Sequence, residues 1–108
     1  MTISVEGGSG TSYTFEGPYY TPNSLANQAG VYLILYCTKL SYFEPVDIGE
    51  SANLKERVKT HDRQACWKAH NGSQLAYAAL YTAQQSQTER MEIEEDIRKN
   101  YKFLCGVD

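Results

Sequence analysis

VYLILYC, residues 31–37, decides the fold. The run is unbroken by charge and rich in β-formers, which suits a strand covered on both faces at the centre of a sheet. Alternation puts Tyr32, Ile34 and Tyr36 on one face and Val31, Leu33, Leu35 and Cys37 on the other. After a turn region at Thr38–Phe43, Pro45–Gly49 is expected to pair back, with Val46 and Ile48 on one side and Asp47 on the other. Ser51 is the expected N-cap of a helix from Ala52 to about Arg63, with Leu54 and Val58 spaced i, i+4. A short helix over Gln64–His70 follows, ended by Asn71-Gly72, then a third strand in SQLAYAALY, residues 73–81. A last helix spans about Gln87 to Tyr101, its stripe formed by Met91, Glu94, Ile97 and Tyr101. Upstream, Gly7, Gly8, Ser9 and Gly10 punctuate short strands near Ile3–Val5 and Ser12–Phe15, and residues 17–30 read as a loop or short helical turn.

The chain of 108 residues is long enough for one core without disulfides, so a single domain is expected: an N-terminal extension (1–28) and a core (29–106). An apolar fraction of 42% with 21% charged residues excludes a disordered chain. No apolar run approaches a membrane span, and MTISVEGGSG lacks a secretory pattern. The odd cysteine count (Cys37, Cys66, Cys105) points to free thiols and a cytoplasmic protein. Net charge is −3, against strong indiscriminate nucleic-acid binding. Its distribution is uneven: residues 55–70 carry +3 from Lys55, Arg57, Lys59, Arg63 and Lys68 against Glu56 and Asp62, on an otherwise acidic body. Such a local patch suits a small anion contact as well as a solvated helix face.

Three groups of residues could carry chemistry. Glu94 lies on an apolar stripe, where a carboxylate is costly unless paired, protonated or bound to a metal, or snorkelling to water at a rim. Arg57 and His61, i, i+4 on the expected helix, could clamp a phosphate and shuttle a proton. Tyr32 and Asp47, on adjacent strands, could orient or deprotonate a water. Structural zinc through His61, Cys66 and His70 is not expected, because no Cys-x-x-Cys pair exists and the spacing is not a familiar ligand set. VEGGSG, residues 5–10, lacks the Lys-Ser/Thr of a P-loop.

In order, these residues resemble the GIY-YIG nuclease superfamily. Gly30-Val31-Tyr32 looks like the first signature tripeptide, and Asp47-Ile48-Gly49 takes the place of the second. SANLKERV resembles the helix bearing the family arginine, here Arg57. His61 matches a position often held by His or Tyr, and IEEDIRKNYKFLCG resembles the closing glutamate helix, with Glu94 aligned. The resemblance covers about residues 29–106.

It implies a small mixed α/β (α+β) domain: a central antiparallel sheet of about three strands flanked by helices, with the short N-terminal strands added. It also implies metal-dependent hydrolysis of a DNA phosphodiester with Mg²⁺ or Mn²⁺. Glu94 would ligate the metal, Arg57 clamp the phosphate, Tyr32 position or deprotonate the water, and His61 assist. Two departures stand out: Asp47 replaces the second signature tyrosine, and Glu50 adds a further negative charge. Asp47 is expected to join Glu94 on the metal or act as the base, since two close carboxylates favour a bound cation. Lys55, Lys59 and Arg63 are the expected substrate contacts. So small a footprint implies help from a homodimer or a partner protein. The alternative is a catalytically inactive nucleic-acid-binding or protein-interaction module, the latter through Tyr13, Tyr19 and Tyr20.

Overall fold

The computed structural model describes residues 1–37, 43–69 and 74–106. Its strands are β1 (Thr2–Glu6), β2 (Ser12–Tyr19), β3 (Gly30–Cys37), β4 (Phe43–Ser51) and β5 (Gln74–Tyr81). Its helices are α1 (Leu54–Lys59), α2 (Gln64–Trp67) and α3 (Gln87–Arg98), with a 3-10 turn at Pro22–Ser24. The strands form one sheet in the order β1-β2-β5-β3-β4, antiparallel at every pairing.

This corrects the expected α/β (α+β) domain with a three-stranded sheet flanked by helices. The described residues are mostly β, and the N-terminal strands are not an appendage. β2 pairs with β5 through Glu16–Ala79 and Tyr19–Tyr77, extending the sheet to five strands, and only α3 exceeds two turns. The cause is the length of β2, which continues past the expected Phe15 to Tyr19 and so reaches β5.

β3 is central, as its apolar run requires, and the two alternating faces fall into separate cores. Tyr32, Ile34 and Tyr36 pack with Leu54, Val58 and Trp67 on one face. Val31, Leu33 and Leu35 pack with Val5, Phe15, Ile48, Ile97 and Phe103 on the other. The register sets small against large: Ala79, Ala78 and Ala76 of β5 lie opposite Tyr32, Leu33 and Leu35. Each fully buried large aliphatic side chain contributes about 1.5–3 kcal/mol, so β3 alone anchors both layers.

β4 is an edge strand, and a bulge changes its faces. Ile34 pairs with Asp47 but Leu35 pairs with Pro45, leaving Val46 as the extra residue. Proline, which has no N–H to donate, is tolerated at such a place. Val46 therefore joins the Tyr32 face while Ile48 joins the opposite one. This corrects the expectation that Val46 and Ile48 share a side, with Asp47 alone on the other.

The expected helix over Ala52–Arg63 also divides. Asn53 is the N-cap, α1 closes at Thr60, and His61 lies beyond its end before α2 begins. On α3 the buried positions are Arg90 and Ile97, with Ile93 partly buried, while Met91 is exposed. The expected stripe through Met91 is thus rotated. The turn expected over residues 38–42 and the helix end expected at 70–72 lie outside the described residues.

Cys66 and Cys105 form a disulfide across 39 positions, which overturns the expectation of free thiols for that pair; Cys37 is free.

The glycine ending the Asp-Ile-Gly tripeptide is set by packing. Gly49 pairs with Tyr32, and a Cβ there would overlap the phenol ring and hydroxyl. Gly49→Ala should lower unfolding free energy by about 1–3 kcal/mol in urea titrations. In a Tyr32→Leu background that penalty should shrink to about 0.5 kcal/mol or less, because the overlapping atoms are gone.

Candidate functional site

Asp47 has no exposed surface, and its carboxylate is fully engaged. Oδ2 accepts from Arg63 Nε at 2.7 Å and from the Trp67 indole at 2.8 Å. Oδ1 accepts from Arg63 Nη2 at 3.1 Å and from the Ile48 N–H at 2.8 Å. Arg63, at the start of α2, thus grips Asp47 with both prongs of its fork, the strongest form of ion pair. The bond to Asp47 holds the Arg63 guanidinium charged beyond its ordinary range.

Arg98, on α3, ties the second carboxylate to the first. Its Nε donates to Glu94 at 3.0 Å, Nη2 to the Ile48 carbonyl at 2.8 Å and Nη1 to the Gly106 carbonyl at 2.9 Å. Nη2 also lies 3.8 Å from Asp47 Oδ1, and the guanidinium sits over the Phe103 ring at 5.5 Å. Burial raises the Glu94 carboxyl above the usual range, and the bond to Arg98 opposes it. Glu94 lines a cleft of about 270 Å³ with Met91, Glu95 and Arg98.

Tyr32 and His61 form a buried pair, with Oη and Nε2 2.8 Å apart. The tautomer follows from the other nitrogen. Nδ1 accepts from the Arg63 N–H at 3.0 Å, so Nε2 carries the proton and donates to the phenol oxygen. Burial, then Arg57 and Arg63, lowers the imidazole below its ordinary range and keeps it neutral. A neutral ring makes no ion pair with Asp62, although its Nδ1 is 3.3 Å from that carboxylate. Burial, with the negative charge of Asp47, pushes the phenol up to about 12. A phenol held there donates a hydrogen bond but is not a base near neutrality.

Arg57 points away from this core. It is exposed and meets Asp62 at 3.4 Å, a surface pair of little strength. The expected Arg57–His61 face does not form, because the helix ends between them and His61 turns inward. Lys55 is half-buried and Lys59 exposed, and neither forms an ion pair among the described residues. Glu50 is neutralised by Arg90 at 2.9 Å and bonded by Gln87 at 3.2 Å.

The sequence-expected residues therefore divide. Tyr32 and His61 touch, and Asp47 and Glu94 are joined through Arg98. Arg57 reaches them only through its field, which acts on Tyr32 and His61. For a shared cation the donors of Asp47 do not fit: both oxygens are taken by N–H donors, and a guanidinium stands toward Glu94. Among the described residues no three His, Cys, Asp or Glu side chains are grouped to hold a metal ion. Glu94 is held by Arg98 through one oxygen, beside an open cleft that Arg98 also lines.

Trp67, Arg98 and the disulfide were not expected at this site. Arg98 had a signal, its i, i+4 spacing from Glu94. Trp67 and the Cys66–Cys105 pairing had none that spacing could supply.

Comparison with family models, with curated proteins and with solved structures gives no match for this chain.

The neutral, buried imidazole fixes the sign of a pH effect. A His whose folded pKa is lowered stabilises the fold above about pH 6.5 and loses that contribution as pH falls through the folded value. Wild-type stability should fall between pH 7 and 5 with an added slope of up to about 1.4 kcal/mol per pH unit from this group. Urea titrations of His61→Gln should lack that added slope; equal slopes would show that His61 is not held neutral.

Proposed function

We propose that this domain hydrolyses DNA phosphodiesters as a small endonuclease with one divalent cation, and that Asp47 serves its framework and not its chemistry. The observation that carries this reading is the buried Tyr32–His61 hydrogen bond, with the charges of Arg57, Arg63 and Asp47 acting on both rings. Tyr32 of β3 and His61, between α1 and α2, meet there, in support of the resemblance to the GIY-YIG superfamily.

Each residue has a role consistent with its state. His61 donates to the Tyr32 oxygen, so the phenol's own proton is free to orient an attacking water or a phosphate oxygen. Tyr32 does not take the proton from that water, given its raised pKa. Arg57, weakly paired at the surface, is available to clamp the scissile phosphate and stabilise charge developing on it. Lys55 and Lys59 extend the cationic surface along the DNA backbone. Arg63, expected as a substrate contact, is committed to Asp47. Glu94 would hold Mg²⁺ or Mn²⁺, which supplies Lewis acidity and an activated water when bound. So short a cationic surface calls for a second copy or a partner protein to lengthen the contact. No helix among the described residues is long and apolar enough to cross a membrane, which is compatible with the proposed place in the cytoplasm.

One observation favours a second reading, an inactive nucleic-acid-binding module. Tyr32 is 2% exposed and His61 4%, so the pair is packed as core. A protein-interaction surface through Tyr13, Tyr19 and Tyr20 has less support. Tyr13 is bonded to Asp96 and Tyr19 packs on the core, leaving Tyr20 exposed.

Plasmid nicking in Mg²⁺ or Mn²⁺ separates the readings. Wild type should nick, and Arg57→Ala and Glu94→Ala should each lose about 10²-fold or more, the scale of removing a transition-state stabiliser. Nicking that survives both substitutions would defeat the nuclease reading. DNA binding without nicking would establish the inactive module.

A further inference from the structure

The chain's last described residues wrap the exposed edge of β4. Phe103 is buried in the core beneath α3, whereas Cys105 is buried in the core on the opposite face, beside Trp67. Between them the tail crosses the sheet edge at the bulge, where the Cys105 N–H donates to the Val46 carbonyl at 2.8 Å. Gly106 then lies against the ion pair. A Cβ on it would fall 2.6 Å from Asp47 Oδ1 and 2.9 Å from Arg63 Cζ, and its φ of +68° favours glycine. Its carbonyl accepts from Arg98. The crossing is held to α2 by one covalent link, the Cys66–Cys105 disulfide. Cys66 is half-buried, while Cys105 is 2% exposed.

We propose that this segment is a redox-operated clasp, whose reduction frees residues 103–106 from β4 and opens the buried Asp47 carboxylate to water. It stands on these contacts alone, whatever chemistry the site performs. A dithiol reductant attacks Cys66 Sγ, the more accessible sulfur, and Cys105 leaves as thiolate and takes up a proton. The reductant's second thiol then releases Cys66 and closes the reductant's own disulfide. Two electrons and two protons pass to the protein. What remains on the crossing is one backbone bond at Val46, the Arg98–Gly106 bond and the packing of Phe103. Oxidised, the clasp closes over Asp47, which has no exposed surface, while Arg63 keeps 35% of its side chain exposed; reduced, it leaves Asp47 reachable from the tail side. In reducing compartments protein disulfides are commonly transient and redox-sensing, and a clasp of this kind suits that use.

The test uses the intact chain, with Cys37→Ser to remove the third thiol, so it does not depend on a variant at the bridge folding. Dithiothreitol is added under native conditions while amide exchange, far-UV circular dichroism and Trp67 emission are followed. Trp67 is the chain's single tryptophan and bonds Asp47 directly, so it reports on this site. Reduction should speed exchange at the Cys105 N–H by about 10-fold or more. Trp67 emission should shift to the red while the circular dichroism of the sheet holds, and reoxidation should restore the starting signals. Unchanged tail exchange and emission after complete reduction would overturn the clasp. So would cooperative loss of the whole sheet signal, which would make the bridge a staple of the fold. Cys66→Ser, as a permanently reduced form, should match the reduced wild type in exchange and emission.

Discussion

A carboxylate with no exposed surface, in the middle of an edge strand, is the constraint around which this domain is arranged. Burying a charge costs several kcal/mol unless it is paired and its lone pairs are filled. Asp47 meets that demand with Arg63, Trp67 and the Ile48 amide, with Arg98 close behind. Each donor fixes something larger. Arg63 and Trp67 set where α2 lies, and Arg98 draws α3 and the tail toward the same edge. The bulge at Val46 lets Asp47 face Trp67 while its neighbour Ile48 stays in the opposite core.

The break between α1 and α2 follows from the same requirement. A continuous helix would keep His61 on the face of Leu54 and Val58 but leave Arg63 on its outer surface, whereas the turn after Thr60 lets both reach inward. His61 then fits between Tyr32, 2.8 Å away, and the Trp67 ring, 4.7 Å between centroids. Arg57, inside α1 and upstream of that turn, stays at the surface. A framework cluster and an exposed cation thus lie side by side, one ordering the fold and the other available to an anion. Two carboxylates near one another did call for a cation, but in this structure the positive charge beside both is the Arg98 guanidinium.

Much of the central sheet was legible in residues 31–37, because a strand buried on both faces has to be apolar throughout, and both faces of β3 follow strict alternation. The β2–β5 pairing was not legible: β2 contains Gly17 and Pro18, which read as turn residues, yet the strand passes through them to Tyr19. The bulge in β4 escaped for a similar reason, since period-2 reasoning assumes an unbroken ladder. At the site, Asp47 and Glu94 could be singled out because carboxylates in apolar segments stand out, His61 by its i, i+4 spacing from Arg57, and Tyr32 by its place beside Asp47 on the neighbouring strand. The Glu94–Arg98 pair had its i, i+4 spacing, but the partners of Asp47 did not show, because which arginine serves that carboxylate depends on packing between elements distant in the chain. Arg63 and Arg98 look like ordinary helix charges until the sheet brings Asp47 between them.

The central claim, that Asp47 is a structural anion held by Arg63, is tested most directly by a double-mutant cycle in urea at pH 7. The variants are Asp47→Asn, Arg63→Gln and the pair together. Breaking the buried pair at Asp47 should remove about 3–5 kcal/mol. The coupling energy between the two sites should reach about 2 kcal/mol, because each single change strands its partner. Single changes that cost little, with coupling below about 0.5 kcal/mol, would contradict the account and return Asp47 to the chemistry of the site.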